Sequence, residues 1–168
     1  MKKLLFILFV CSALNGFGQE NLVLNPSFEQ VTKQPKNHSE LPLAVGWYAP
    51  NGSSDIYSRN AKRKDYKIPN NLMGNRDTPY GDVYAGFYSN AGFYASYIKD
   101  TRENLQATLI EKLVKGTTYR IEFYYCQSVK STVDETSLGV AFSNKRIFTF
   151  EDHVNFGYQY YLSKKDKL

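Results

Sequence analysis

Residues 117–128 restrict the fold more than any other segment, because apolar and polar side chains alternate along them. The alternate positions on one side are Tyr119, Ile121, Phe123 and Tyr125. The positions between them are Arg120, Glu122, Tyr124 and Cys126. Successive side chains of a strand point to opposite faces of a sheet, so this pattern predicts a long, half-buried strand. A slip of one residue would turn the apolar set to water, so the pattern also restricts the register. We expect Cys126 to be buried in this strand as a small hydrophobic residue.

Shorter segments of the same character predict further strands. They lie at residues 46–48, 55–57, 83–88, 105–109 and 137–143. Tyr, Phe and Trp make up 15% of the chain, and aromatic residues suit a pleated, half-buried surface. Only residues 110–114 offer the start of a helical turn, and Gly116 stops it. We therefore expect an all-β fold in which residues 30–81 are mostly loops, punctuated by prolines.

The first residues have the character of a secretory signal peptide. A charged start is followed by a short apolar run and by a small-x-small ending at Gly16 and Gly18. The apolar run is far shorter than the about 20 residues that cross a bilayer, so we expect no transmembrane segment. We expect cleavage after Gly18 or, alternatively, after Ala13. A rival interpretation makes Cys11 the lipidated first residue of a lipoprotein, although the bulky Val10 before it departs from that pattern.

Export determines the expected organisation of the rest of the chain. With residues 1–18 as the leader, we expect a β domain over 19–163 and a charged tail over 164–168. The expected location is the periplasm, the outer membrane surface or the extracellular space. Loss of Lys2 and Lys3 leaves 19 basic residues against 16 acidic ones, so the formal charge falls from +5 to +3. Because the charge is nearly balanced and forms no basic stripe, we expect no nucleic acid partner.

Several blocks in order carry a resemblance to a known family. An opening block at residues 21–29 precedes Gly46 and Trp47, and further blocks lie at 68–74, 81–86 and 102–106. In order and spacing these blocks resemble the exported jelly-roll domain at the N-terminus of many Bacteroidetes envelope proteins, often ahead of an OmpA-type peptidoglycan-binding domain. They are more distantly similar to the galactose-binding-like sandwiches of carbohydrate-binding modules. The likeness covers residues 21–143 and implies a jelly-roll β-sandwich whose ligand class is glycan.

The chain departs from this family in two respects. We expect no OmpA-type domain, so peptidoglycan anchoring is not carried over. The closing strands of the family, with their second Trp, are also missing, because residues 144–168 hold only short strand candidates at 146–150 and 154–162. A jelly roll needs all its strands to cover its edges. We therefore expect a sandwich that is incomplete at its C-terminus.

The resemblance implies one candidate metal ligand. Glu29 follows the opening strand at a position that resembles the structural calcium ligand of the carbohydrate-binding sandwiches. Calcium takes about six to eight oxygen ligands, and loop carbonyls with one carboxylate would be a start. The alternatives are a solvated carboxylate at a strand end or one paired with a neighbouring Lys. We expect no cofactor apart from this candidate structural calcium ion.

Polar residues on two segments predict the ligand-binding surface, namely Gln106, Thr108, Arg120, Glu122 and Tyr124. On an open sheet, a tyrosine ring can cover the apolar face of a pyranose while charged and amide groups bind its hydroxyls. The alternative is an ordinary solvent-facing strand with cross-strand charge pairing. We expect the single tryptophan, Trp47, to lie in the core.

Catalysis is not indicated by any motif in the sequence. Glu151, Asp152 and His153 form the one acid–imidazole cluster, but adjacent residues on a strand point to opposite faces. Facing carboxylates for glycoside hydrolysis and a Gly-x-Ser-x-Gly motif are both missing. We expect a non-catalytic binding module of the cell envelope, with a glycan or an envelope protein as its partner. The alternative is a structural or protein-interaction β-sandwich with no sugar ligand, and the sequence does not define the oligomeric state.

Overall fold

The computed structural model describes residues 20–89, 102–131, 138–150 and 160–161. Within these ranges the regular elements are eight short strands and two 3-10 helices, Leu41–Leu43 and Lys64–Tyr66. The strands are β1 (Trp47–Tyr48), β2 (Asp55–Ser58), β3 (Asn70–Asn71), β4 (Gly74–Asn75), β5 (Val83–Gly86), β6 (Gln106–Ala107), β7 (Gly139–Val140) and β8 (Tyr160–Tyr161). The all-β class expected from the sequence is confirmed. In the same ranges no helix has the length and apolarity needed to span a bilayer.

The strands form antiparallel pairs. β1 pairs with β6, β2 with β5, β3 with β4, and β7 with β8. The chain around β6 has a second neighbour, because Leu24 donates its backbone N–H to the Thr108 carbonyl at 2.8 Å and Val23 bridges Leu109. Residues 106–110 therefore lie between the opening segment and β1. These pairs establish the all-β class, and no larger sheet of a sandwich is assigned within the ranges that the structure describes.

The core is built on both sides of β2, whose four residues are all buried. One side holds Ala44, Ile56 and Val83, closed by the partly buried Phe28, Val31 and Trp47. The other side holds Tyr57, Ala61, Tyr66 and Ile68, closed by the partly buried Met73 and Tyr84. A strand covered on both faces is a continuous run of buried residues rather than an alternation. The stretch predicted to be mostly loops thus supplies much of the described core, and Trp47 packs at the edge of that core.

Most of the predicted short strands contain a strand of the structure. The segments at 46–48, 83–88 and 105–109 contain β1, β5 and β6, and the segment at 55–57 lies within β2. The segment at 137–143 forms β7 only at Gly139–Val140, while Phe142 is exposed. The expected leader, the charged tail and the cluster at 151–153 lie outside the described residues.

The strand predicted at residues 117–128 does not form within the described structure. No strand is assigned there, and the backbone of residues 118–126 forms no hydrogen bond with any described residue. Cys126, which we expected to be buried, is exposed. Alternation determines which side chains share a face, but a strand also needs a neighbouring strand to complete its ladder. The described part of the chain does not bring such a neighbour to this segment.

Candidate functional site

Three of the predicted ligand-binding residues lie on one exposed surface. The Arg120 guanidinium and the Glu122 carboxylate form an ion pair, and both side chains are more than half exposed. Two residues further on, the Tyr124 ring meets the Tyr80 ring edge to face, with 5.4 Å between the centroids. The two tyrosines are 57% and 64% exposed. We call Tyr80, Arg120, Glu122 and Tyr124 the tyrosine face.

The tyrosine face offers polar groups around aromatic rings. The hydrogen bond between Tyr80 and Tyr124 raises the pKa of the Tyr124 hydroxyl, so that hydroxyl stays protonated at neutral pH. A protonated phenol can both donate and accept a hydrogen bond. An aromatic pair beside an ion pair can therefore cover a flat apolar ring and bind hydroxyl groups at its rim. This arrangement is typical of a surface site for a polar, ring-containing ligand.

The tyrosine face is an open surface and not a cavity. A shallow depression of about 220 Å³ is formed by other residues, namely Lys64, Lys67, Ile68, Pro69 and Asn70. Pockets for small molecules usually enclose roughly 300–1,000 Å³. The depression is therefore small for a site that encloses a ligand.

The other two predicted ligand-binding residues, Gln106 and Thr108, lie beside β1. The Gln106 side chain is already hydrogen-bonded to another part of the chain. The Gln106 side chain donates through Nε2 to the Lys145 carbonyl at 3.0 Å and accepts from the Ile147 backbone N–H at 2.9 Å. Arg146, between those two residues, lies over the Tyr48 ring with its guanidinium carbon 3.8 Å from the centroid. Thr108 is half-buried. Within the described residues, no hydrogen bond or ion pair joins this group to the tyrosine face.

Glu29, the candidate calcium ligand, holds the main chain at the start of β5. Its Oε1 accepts hydrogen bonds from the backbone N–H groups of Asp82 at 2.9 Å and Val83 at 3.1 Å. Gly81 has a φ of +69°, and an added Cβ there would lie 2.2 Å from this oxygen. In the described part of the chain, no group of three or more His, Cys, Asp or Glu residues is placed to hold a metal. One oxygen of the Glu29 carboxylate is thus bonded to two backbone N–H groups, and no ion pair with a Lys forms among the described residues, while calcium binding at Glu29 stays a prediction.

Glu103 was not among the predicted site residues. The structure shows it to be a buried carboxylate with 5% exposure. Its Oε1 accepts hydrogen bonds from the Ser53 backbone N–H at 2.8 Å and the Ser53 hydroxyl at 2.6 Å. Its Oε2 accepts one from the Tyr88 backbone N–H at 2.9 Å. Beside it, Asn104 donates through Nδ2 to the Asn51 side-chain oxygen at 2.7 Å. This network joins the loop before β2, the chain after β5 and the chain before β6.

The sequence held only weak signals for this network. Asn51 and Gly52 form an Asn-Gly pair of the kind that marks turns, and Glu103 precedes a predicted strand. Gly52 has a φ of +68°, and an added Cβ would lie 2.6 Å from the Glu103 Cγ. Each of these residues is ordinary at an exposed loop. Their importance follows only from the fold, which buries them against one another.

A second buried carboxylate, Asp55, lies at the start of β2. It accepts hydrogen bonds from the Ser39 backbone N–H at 2.8 Å and from the Tyr57 hydroxyl at 3.3 Å. Burial and the Asp55 carboxylate raise the pKa of Tyr57, which therefore remains a donor. The His38 Nδ1 is 3.7 Å from Asp55, and its ring meets Tyr66 edge to face. That distance is too long for a hydrogen bond. Among the described residues no hydroxyl or thiol is hydrogen-bonded to the imidazole, so the pair is not arranged as a nucleophile and base.

No family model, no curated protein and no solved structure matches this chain.

Proposed function

We propose that this chain is an exported, non-catalytic binding module of the bacterial cell envelope, built as a jelly-roll β-sandwich. Its ligand class is carbohydrate, and the tyrosine face is the contact surface. The observation that carries the proposal is the exposed Tyr80–Tyr124 ring pair with the Arg120–Glu122 ion pair close by in the chain. The resemblance to exported jelly-roll domains supports the same ligand class.

The chemistry of the tyrosine face suits a sugar better than a fully apolar or a strongly charged ligand. Aromatic rings gain free energy by covering the C–H face of a pyranose, while guanidinium, carboxylate and phenol groups bind its hydroxyls. The two charges of the ion pair cancel, so the surface does not select an ionic ligand. An open surface suits a terminal sugar or one face of a polymer.

A glycan array probed with the full chain tests the ligand class. We expect hits that weaken about tenfold in Tyr124→Ala, because an aromatic contact contributes roughly 0.5–1.5 kcal/mol beyond the area it buries. Tyr125→Ala is the matched control, since Tyr125 is also exposed but lies at the adjacent, opposite position. A folded sample that binds no glycan, or equal losses in both variants, would overturn the assignment.

The second candidate is a protein-interaction domain without a sugar ligand. It is favoured by the exposed apolar residues on the other side of the same segment, Ile121, Phe123 and Tyr125. An empty glycan array from a folded sample would leave this candidate as the better one. We propose no catalytic role, and turnover of glycosides or esters that is lost on changing Glu151 or His153 would contradict that.

The proposal includes no structural calcium ion, because Glu29 already binds two backbone N–H groups. We therefore expect the same thermal midpoint with and without EDTA. A lower midpoint in EDTA, restored by calcium, would show that an ion is held. Export is tested separately by the mass of the secreted product, which we expect to begin at Gln19.

A further inference from the structure

The backbone of the alternating segment, residues 117–125, is largely unpaired within the described structure, while side-chain contacts hold the segment. Near its start, the Val114 backbone N–H donates to the Tyr119 hydroxyl at 2.8 Å. Just beyond its end, the Arg76 guanidinium donates to the Gln127 carbonyl at 3.2 Å. Between these contacts, its backbone forms no hydrogen bond with any described residue. Long-range contacts with Arg76 and Tyr80 therefore hold the segment, while its backbone donors and acceptors are largely unpaired among the residues that the structure describes.

Such rows of unpaired N–H and C=O groups are a template on which another strand can pair. The apolar side chains of the segment are also exposed, Ile121 at 46% and Phe123 at 43%. Because contacts at Tyr124 and Gln127 already hold the segment, pairing orders fewer rotatable bonds than it would in a free chain, which lowers its entropic cost. The question is then which strand fits.

The side chains of the segment complement their own copy in one antiparallel register. When Ile121 lies opposite Ile121 of the partner subunit, Arg120 lies opposite the partner's Glu122, and Glu122 lies opposite the partner's Arg120. On the other face, Tyr119 lies opposite the partner's Phe123. Opposite charges and aromatic pairs directly across antiparallel strands stabilise the pairing. Both charge pairs recur by the two-fold symmetry that a homodimer imposes.

Neighbouring registers lack this complementarity. A shift of two residues in one direction places Arg120 opposite its own copy, and the opposite shift places Glu122 opposite its own copy. Like charges directly opposite each other are destabilising. A shift of one residue places polar positions against apolar ones. The pattern therefore specifies one register.

We propose that two copies of this chain pair through residues 117–125 as antiparallel strands centred on Ile121. The occupant of the open strand edge is thus a second copy. Pairing uses the backbone edge, but Arg120 and Glu122 belong both to the dimer centre and to the tyrosine face. Charge reversal therefore reports on pairing through association alone, whereas trapping at Ile121 tests pairing without altering the tyrosine face. The proposal does not depend on a sugar ligand.

Charge reversal tests the register directly. Arg120→Glu places four acidic side chains at the centre of the dimer, and Glu122→Arg places four basic ones there. We expect each variant alone to associate at least about tenfold more weakly than the unmodified chain, because both cross-strand pairs become repulsive. An equimolar mixture of the two variants restores opposite charges at every pair. We expect the mixture to form heterodimers as strongly as the unmodified chain forms dimers.

The measurement is sedimentation equilibrium of the full chain over a wide range of concentration, with reductant present. Lys62→Glu and Glu111→Arg are matched controls, since both residues are exposed and lie outside the segment. Rescue by mixing separates lost pairing from lost folding. A chain that is monomeric at all concentrations, or a dimer indifferent to both reversals, would overturn the proposal.

Disulfide trapping provides a second test that does not depend on charge. In a Cys126→Ser background, Ile121→Cys places two thiols opposite each other at the symmetry axis. Thr118→Cys is the control, because its two copies lie six positions apart along the ribbon, about 20 Å. A disulfide forms only when the Cα atoms are within about 7 Å. We expect covalent dimers from Ile121→Cys alone, and equal trapping or none in both variants would contradict the register.

Discussion

The Glu103 network makes a sharp prediction about stability, because a single isosteric change alters it. Glu103→Gln keeps the size of the side chain but replaces one acceptor oxygen by an NH₂ group. The best orientation keeps Oε1 facing Ser53, which donates to it twice. The new amide nitrogen then faces the Tyr88 backbone N–H. Because both groups are donors, the 2.9 Å hydrogen bond is lost.

The expected loss is about 3 kcal/mol. A hydrogen bond to a charged group contributes about 1.5–3 kcal/mol, and leaving a buried donor unpaired adds its desolvation cost. The two bonds to Ser53 also weaken, because charge-assisted bonds are roughly twice as strong as neutral ones. A neutral amide is easier to bury than a carboxylate, which offsets part of this loss. At roughly 2–4 °C per kcal/mol for a chain of this size, the thermal midpoint falls by about 6–12 °C.

Thermal unfolding followed by circular dichroism measures this shift, and Glu29→Gln is the matched control. Glu29 also accepts two backbone hydrogen bonds, but through one exposed oxygen that glutamine retains. We expect a loss below about 1 kcal/mol there, since only the charge assistance is removed. Equal midpoints for the two variants would refute the assignment of Glu103 as a buried clamp.

Three further predictions concern single residues. Ile56 has no exposure and packs with Ala44 and Val83 on one side of β2, so Ile56→Ala should lower the free energy of unfolding by about 2–5 kcal/mol with an unchanged denaturant slope. A loss under about 1 kcal/mol would contradict the described core. Although burial raises the pKa of Glu40, hydrogen bonds from the Lys36 and Asn37 backbones outweigh it, and the pKa lies below the ordinary 4.5. A carboxylate whose pKa is lower in the folded state than in the unfolded state stabilises the fold at pH values above its unfolded pKa. This stabilisation is lost as the pH falls through the folded-state pKa. In urea denaturation, the difference in free energy of unfolding between the native chain and Glu40→Gln should therefore be full at pH 6 and shrink below about pH 4.5. A difference that is the same at both pH values would exclude this effect. Cys126, which is exposed, should react with a thiol reagent at the same stoichiometry in the native and the denatured protein, whereas protection in the native state would restore the buried position predicted from the sequence.

The short strands were predictable because their signals are local. Trp47, Ile56 and Val83 each lie in a short segment whose residue types suit a strand, and each belongs to a strand of the structure. The tyrosine face was predictable in part, since the spacing of Arg120, Glu122 and Tyr124 grouped them in one predicted surface, although the strand on which that grouping relied does not form. Tyr80 was not, because it joins Tyr124 from a distant part of the chain.

Burial and strand pairing are decided by distant parts of the chain. The local sequence pattern therefore did not reveal either of them. Asp55 and Glu103 have the composition of exposed loop residues, yet both are buried because separate segments converge on their carboxylates. The core lies largely within 30–81, where prolines suggested loops, because two layers cover the same strand β2. At 117–125 the sequence by itself determined the alternation of apolar and polar side chains. Only the tertiary structure decided that no described strand lies beside them, because a ladder requires a partner that local alternation cannot supply.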